Sequence, residues 1–121
     1  MITAVQVAES CAEAVRDLAR VTHPEDGAPG LEHPGDVFVV LGLLARSCRD
    51  LPAGLEHLEL WLSAQAAAGR LEVSGAPEDH EAVVLAVAAM RTELLVAMDV
   101  VQTLAASLTA AQTSLRDLRQ A

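Results

Sequence analysis

Two of the four histidines stand in one segment, as His23-Pro24-Glu25-Asp26 and His33-Pro34-Gly35-Asp36, a His-Pro-x-Asp pattern used twice. Imidazole nitrogens and carboxylate oxygens ligate zinc and carry general acid–base chemistry, so the pattern raises both. A metal would need three or four such groups converging. The chain contains no Glu-x-x-His and no His-x-x-x-His, so a di-iron bundle has no ligand set. His57 lies between Glu56 and Glu59 in LEHLEL, and His80 in the acidic run PEDHE. A nucleophile–base pair would require one of these beside Cys11, Cys48 or Ser63. Cys48 falls on an apolar helical position, where a thiol is inert. There is no Gly-rich phosphate loop, CxxC or HExxH. No residue is assigned a catalytic, cofactor-binding or metal-binding role, and the chain is not expected to be an enzyme.

The Pro and Gly residues of 22–35 read instead as a linker, with Asp36 placed to cap the helix that follows. Composition points the same way. Hydrophobic residues make up 52 % of the 121 residues and aromatics 2 %, with no Tyr, one Phe and one Trp. Lys and Asn are absent. Ala and Leu favour helix and strand-favouring aromatics are scarce, so an all-α fold of one domain is expected. The net charge of −9 opposes binding to nucleic acid, which needs a positive face, and adsorption to an anionic membrane surface. The longest apolar runs, VFVVLGLLA and AVVLAVAAM, fall short of the ~20 residues of a bilayer span. MITAVQVAES lacks the basic start of a signal peptide. A cytoplasmic protein with Cys11 and Cys48 as buried free thiols is expected.

The periodicities divide the chain into four helices. The first covers about 3–21, with Thr3 and Gln6 at capping-box spacing and a thin stripe of Ala4, Ala8, Cys11, Val15 and Leu18. The second covers 36–50, with Val37, Val40, Leu41, Leu44 and Cys48 inward. Pro52 suits the first turn of a third helix, over 52–70, with Leu55, Leu58, Leu62 and Ala66 on one side. The apolar spacing nevertheless runs through Pro52 without a phase break, so one kinked helix over 36–70 is the alternative, at roughly 3 kcal/mol for the interior proline.

The fourth helix, 77–119, follows Pro77 and the acids Glu78, Asp79 and Glu81. Val83, Val87, Met90, Leu94, Ala97, Val101, Leu104, Leu108, Ala111, Leu115 and Leu118 alternate by four and three, a heptad seam. Flanking positions are also apolar before residue 106 and polar after it, so the first half belongs in a bundle core and the second in a narrower contact. At about 43 residues and roughly 64 Å, this helix outreaches any shorter one. The expected arrangement is a four-helix bundle-like fold. In it a hairpin of the second and third helices packs on the first half of the fourth, and the stretch Leu104–Leu118 projects toward a partner.

Trp61, in LELWLSAQ, stands one place off the Leu55–Leu58–Leu62 stripe. As the sole Trp at a core edge, it is a candidate interface anchor. Leu51, Pro52, Leu55, Leu58, Trp61 and Leu62, followed by Gly69-Arg70-Leu71 and a long Ala-rich helix, resemble small all-helical proteins of actinomycetes. Some of those accompany mobile elements, and the resemblance implies no activity. A secreted hairpin of the WXG100 type is a looser likeness, since Trp61-Leu62-Ser63 lacks the Gly. The expected function is non-enzymatic: a helical interaction protein, a homo-oligomer or a subunit of a larger complex. Its interface is expected at Trp61, Leu104, Leu108, Ala111, Leu115 and Leu118. A ligand- or metal-binding bundle and a WXG100-like secreted protein are the alternatives.

Overall fold

The computed structural model of residues 1–121 is all-helical, with three α-helices where four were expected. They are α1 (Ala4–Val21), α2 (Pro34–Ala67) and α3 (His80–Ser114). There is no four-helix arrangement within the chain. The two middle helices expected at 36–50 and 52–70 are one helix, with Pro52 inside it. The unbroken apolar phase explains this. An interior proline costs about 3 kcal/mol, whereas splitting the helix would uncover one end of α3.

α2 and α3 form an antiparallel hairpin. At 34 and 35 residues they match in length, so α2 covers α3 from end to end. No C-terminal half of α3 projects. Three polar ties set the register. Gln112 donates to the Phe38 carbonyl at 3.1 Å, Arg49 to the Thr109 hydroxyl at 3.0 Å, and Arg91 to Glu59 at 3.2 Å. Glu59 also accepts from the Ser63 hydroxyl at 2.9 Å. Gly42 makes room for the Gln112 side chain, since a Cβ there would lie 2.3 Å from its Nε2.

Each helix end follows from local chemistry. α1 begins with the expected capping box, Thr3 N–H to Gln6 Oε1 at 2.9 Å and Gln6 N–H to Thr3 Oγ1 at 3.1 Å. α2 ends in a Schellman motif, with Gly69 at φ +71° and Arg70 N–H bonded to the Gln65 carbonyl. The connection then tightens at Val73–Ala76, where Gly75 takes the positive φ of a type II turn. Asp79 caps α3 by accepting from Ala82 N–H at 2.9 Å, two residues after the expected start at Pro77. α3 ends at Ser114, short of 119, in a few hydrogen-bonded turns.

The core is thin. Ala45, Val83, Ala105 and Glu59 are the only buried residues. α1 has none, and within it only Leu18 and Val21 are even half-buried. Its predicted stripe is open at Ala4, Ala8, Cys11 and Val15, and only Leu18 of it is half-buried. Cys11 is exposed and Cys48 half-buried, both free, so neither is a fully buried thiol.

Candidate interaction surface

The His-Pro repeat resolves into two helix starts. His23 is the N-cap of a 3₁₀ turn, Pro24–Asp26, and its Nδ1 accepts from Glu25 N–H at 3.1 Å. His33 is the N-cap of α2, and Pro24 and Pro34 each take a first helical position. Asp36 is not the cap but lies three residues past it. Its carboxylate accepts from the amides of Glu32 at 2.8 Å and His33 at 3.0 Å. Those two bonds hold the Asp36 carboxyl below the ordinary carboxylate range. His33 Nδ1 lies 3.3 Å from Gln120 Oε1, which brings the chain's end to the start of α2. No three His, Cys, Asp or Glu side chains gather closely enough to hold a metal ion.

Two clefts on the hairpin are open surface features. One of about 180 Å³ lies under the α2–α3 connection, lined by Leu62, Leu71, Val73 and Val83 among others. Another of about 380 Å³ lies beside the Glu59–Arg91 pair, with Leu60, Leu95 and Met98 around it. The first is lined almost wholly by apolar side chains, and in the second the charged Glu59 and Arg91 bond each other, beside Glu56, so neither presents the free convergent polar groups that orient a small ligand.

The seam on α3 follows the expected positions from Val83 to Val101 and then slips by one. Ala105 and Gln112 face α2 where Leu104 and Ala111 were expected, while Leu108 and Leu115 stay on the facing line. A straight helix of 3.6 residues per turn drifts about 20° per heptad against a 3.5 repeat, and over three heptads the contact line moves one residue on. The six candidate interface residues therefore separate. Leu108 and Leu115 are half-buried against their own chain. Trp61 at 62 %, Leu118 at 58 % and Leu104 at 47 % exposure remain available, as does Ala111.

Sequence reasoning missed the extent of this surface. Eighteen large hydrophobic residues are exposed, Leu51, Leu58, Val100 and Trp61 among them. The signal was present in the apolar residues flanking the seam. They imply more neighbours than one helix provides, and the hairpin provides one.

α1 adds a second open face. Its charged residues, Glu9, Glu13, Arg16, Asp17 and Arg20, fall on one side, and Val7, Cys11, Val15 and Leu18 on the other. The loop holds α1 in place through its own bonds: Gly30 donates to the Val21 carbonyl at 2.7 Å, and a Cβ on Gly30 would lie 2.8 Å from Val21 Cγ2.

No helix is long and apolar enough to cross a membrane. In comparisons with family models, curated proteins and solved structures, the chain matches none.

Proposed function

We propose that this chain is a non-enzymatic helical assembly protein of the cytoplasm, acting through apolar helix packing with protein partners, as a homo-oligomer or as a subunit of a larger helical complex. One observation carries the reading: the chain leaves far more surface in water than its size warrants. Its accessible surface is 9221 Å² for 12.7 kDa. A compact monomer of that mass exposes about 6,200 Å², so the excess is about 3,000 Å². With four buried residues and twelve of the chain's eighteen exposed large hydrophobics, the hairpin resembles half of a bundle. Contiguous apolar surface of this extent marks interaction sites. The net charge of −9 keeps nucleic acid out of the reading.

Light scattering of the purified chain at micromolar concentration tests this. A mass of two or more chains, with high helicity, is expected. A helical monomer at every concentration, together with no stable partner recovered from the native host, would contradict it.

A further inference from the structure

The hairpin has two unlike broad faces, and their difference identifies an occupant. The two helices run antiparallel. Residues immediately preceding a facing position therefore lie on the same broad side of both helices, and residues immediately following one lie on the other side. The following side is mixed. It holds Arg46, Arg49, Glu56 and Leu60 on α2, and Arg91, Leu95, Gln102 and Thr109 on α3. The Arg49–Thr109 bond and the arm of Arg91 lie there.

The preceding side is different. On α2 it holds Leu44, Leu51, Leu58 and Trp61. On α3 it holds Ala86, Ala89, Val100, Leu104 and Ala111, with Glu93 as the one charged residue on the helices, while Glu72 of the connection lines a cleft with Ala86. Leu51, Leu58, Trp61, Val100 and Leu104 are 47–62 % exposed.

We propose that this face is covered by a second copy of the chain, two hairpins packing face to face about a two-fold axis that runs along the helices. The proposal rests on the assembly reading above and names its partner and its surface. Such an axis places α2 of each copy over α3 of the other, antiparallel and at unchanged height. The intrachain register sets which residues meet: Glu59 lies level with Arg91 and Phe38 with Gln112. Trp61 then meets the partner's small Ala86 and Ala89, Leu58 meets the partner's Glu93, Leu51 meets the Ala97–Val100 turn, and Leu44 meets the turn of Leu104 and Ser107. At the Trp61 end a large side chain thus lies over two small ones at matching height, and Leu51 and Leu44 lie over apolar Val100 and Leu104. That is the self-complementarity an isologous interface requires.

The area is also sufficient. The stretch from Ala86 to Ala111 is about 38 Å long and, at about 20 Å wide, covers roughly 750 Å² per copy, so the pair buries about 1,500 Å², within the range of a standard stable interface. Nearly charge-free surface is also where chains of net charge −9 approach with least repulsion.

Two matched pairs of exposed residues test the choice of face. Leu58 and Leu60 are each 54 % exposed on α2, and Val100 and Leu95 are 61 % and 60 % exposed on α3. A carboxylate at any of the four is equally tolerated by an isolated hairpin, and circular dichroism checks that each variant stays helical. Leu58→Glu and Val100→Glu are expected to weaken dimerisation at least about thirtyfold, the loss of a central interface contact. Leu60→Glu and Leu95→Glu are expected to leave it within about threefold, as rim changes do. Dissociation by the second pair with the first inert, or equal effects in all four, would overturn the choice of face while leaving self-assembly intact. Binding to a different protein by a wild-type chain that stays monomeric would overturn the second copy as occupant while leaving the assembly reading standing. A wild-type chain with neither partner would overturn both.

Discussion

α1 and the α2–α3 hairpin are apolar in different ways, and the difference shows how each meets its surroundings. α1 sorts its residues strictly, acids and arginines on one side and Val, Cys, Ala and Leu on the other. That pattern calls for one neighbour, yet α1 has no buried residue. α2 and α3 are apolar around most of their circumference, a pattern that calls for several neighbours, and each has one. Most helical stability in proteins comes from packing an amphipathic face, and α1 lacks that packing, whereas the hairpin has a continuous if narrow seam. The hairpin is therefore the stable unit and α1 the dependent one, while both leave apolar surface for other chains.

The largest expected effect strikes the hairpin seam. Ala45 is 0 % exposed, so Ala45→Glu places a carboxylate between α2 and α3 with no partner. A loss of about 4 kcal/mol or more is expected, read as collapse of the cooperative thermal transition. The same change in α1, Ala8→Glu, should leave that transition in place, because Ala8 is exposed.

Next comes Arg91→Ala, which leaves the buried Glu59 with Ser63 alone. A loss of about 1–3 kcal/mol is expected from denaturant titration, and Glu59→Gln in the same background should recover part of it. Glu93→Leu acts in the opposite direction. It removes the one helix-borne charge from the apolar face and should tighten association by about 1 kcal/mol or more, read from the concentration dependence of the mass. No gain would mean that the sector stays in water.

Removing residues 1–22 should change the hairpin's own unfolding free energy by no more than about 0.5 kcal/mol, the usual size of a surface change. A larger fall would show that α1 supports the hairpin. The smallest effect is a pH dependence at the start of α2. The Asp36 carboxyl is depressed by the Glu32 and His33 amides, so its contribution is full above the ordinary carboxylate range and is lost as pH falls through the lowered folded value. Amide exchange at residues 32–36 should therefore quicken at acid pH, and Asp36→Asn should remove the dependence.

Much of this architecture was legible from short-range chemistry. The Thr3–Gln6 box, the helical class and the seam at Val83, Val87, Met90, Leu94 and Val101 all follow from spacing, because they depend on residues one or two turns apart. What was not legible depends on longer geometry. Pro52 reads as a helix start locally, the unbroken apolar spacing offers one helix as the alternative, and the matching lengths of α2 and α3 add a reason why the helix continues. The slip from Leu104 to Ala105 accumulates over several heptads, so no local window contains it. Asp36 reads equally well as a cap or as the residue three places on, and His33 decides between them by taking the cap with Pro34 behind it. The exposure of α1 had no signal in its own pattern, since an amphipathic helix looks the same whether or not its partner is in the same chain. Val100 was visible as a flanking apolar residue, while Leu51 and Leu58 read as members of the apolar stripe and are exposed instead; only the hairpin's handedness places all three on one face with Trp61.

Trp61 also offers the most direct test of the central claim that this face is covered in solution. It is the only tryptophan and is 62 % exposed in the single chain, so its emission reports on that face without any substitution. Blue-shifted emission at micromolar concentration, moving to the red on dilution while helicity is kept, is the expected result. Water-exposed emission at every concentration, with helicity unchanged, would contradict it.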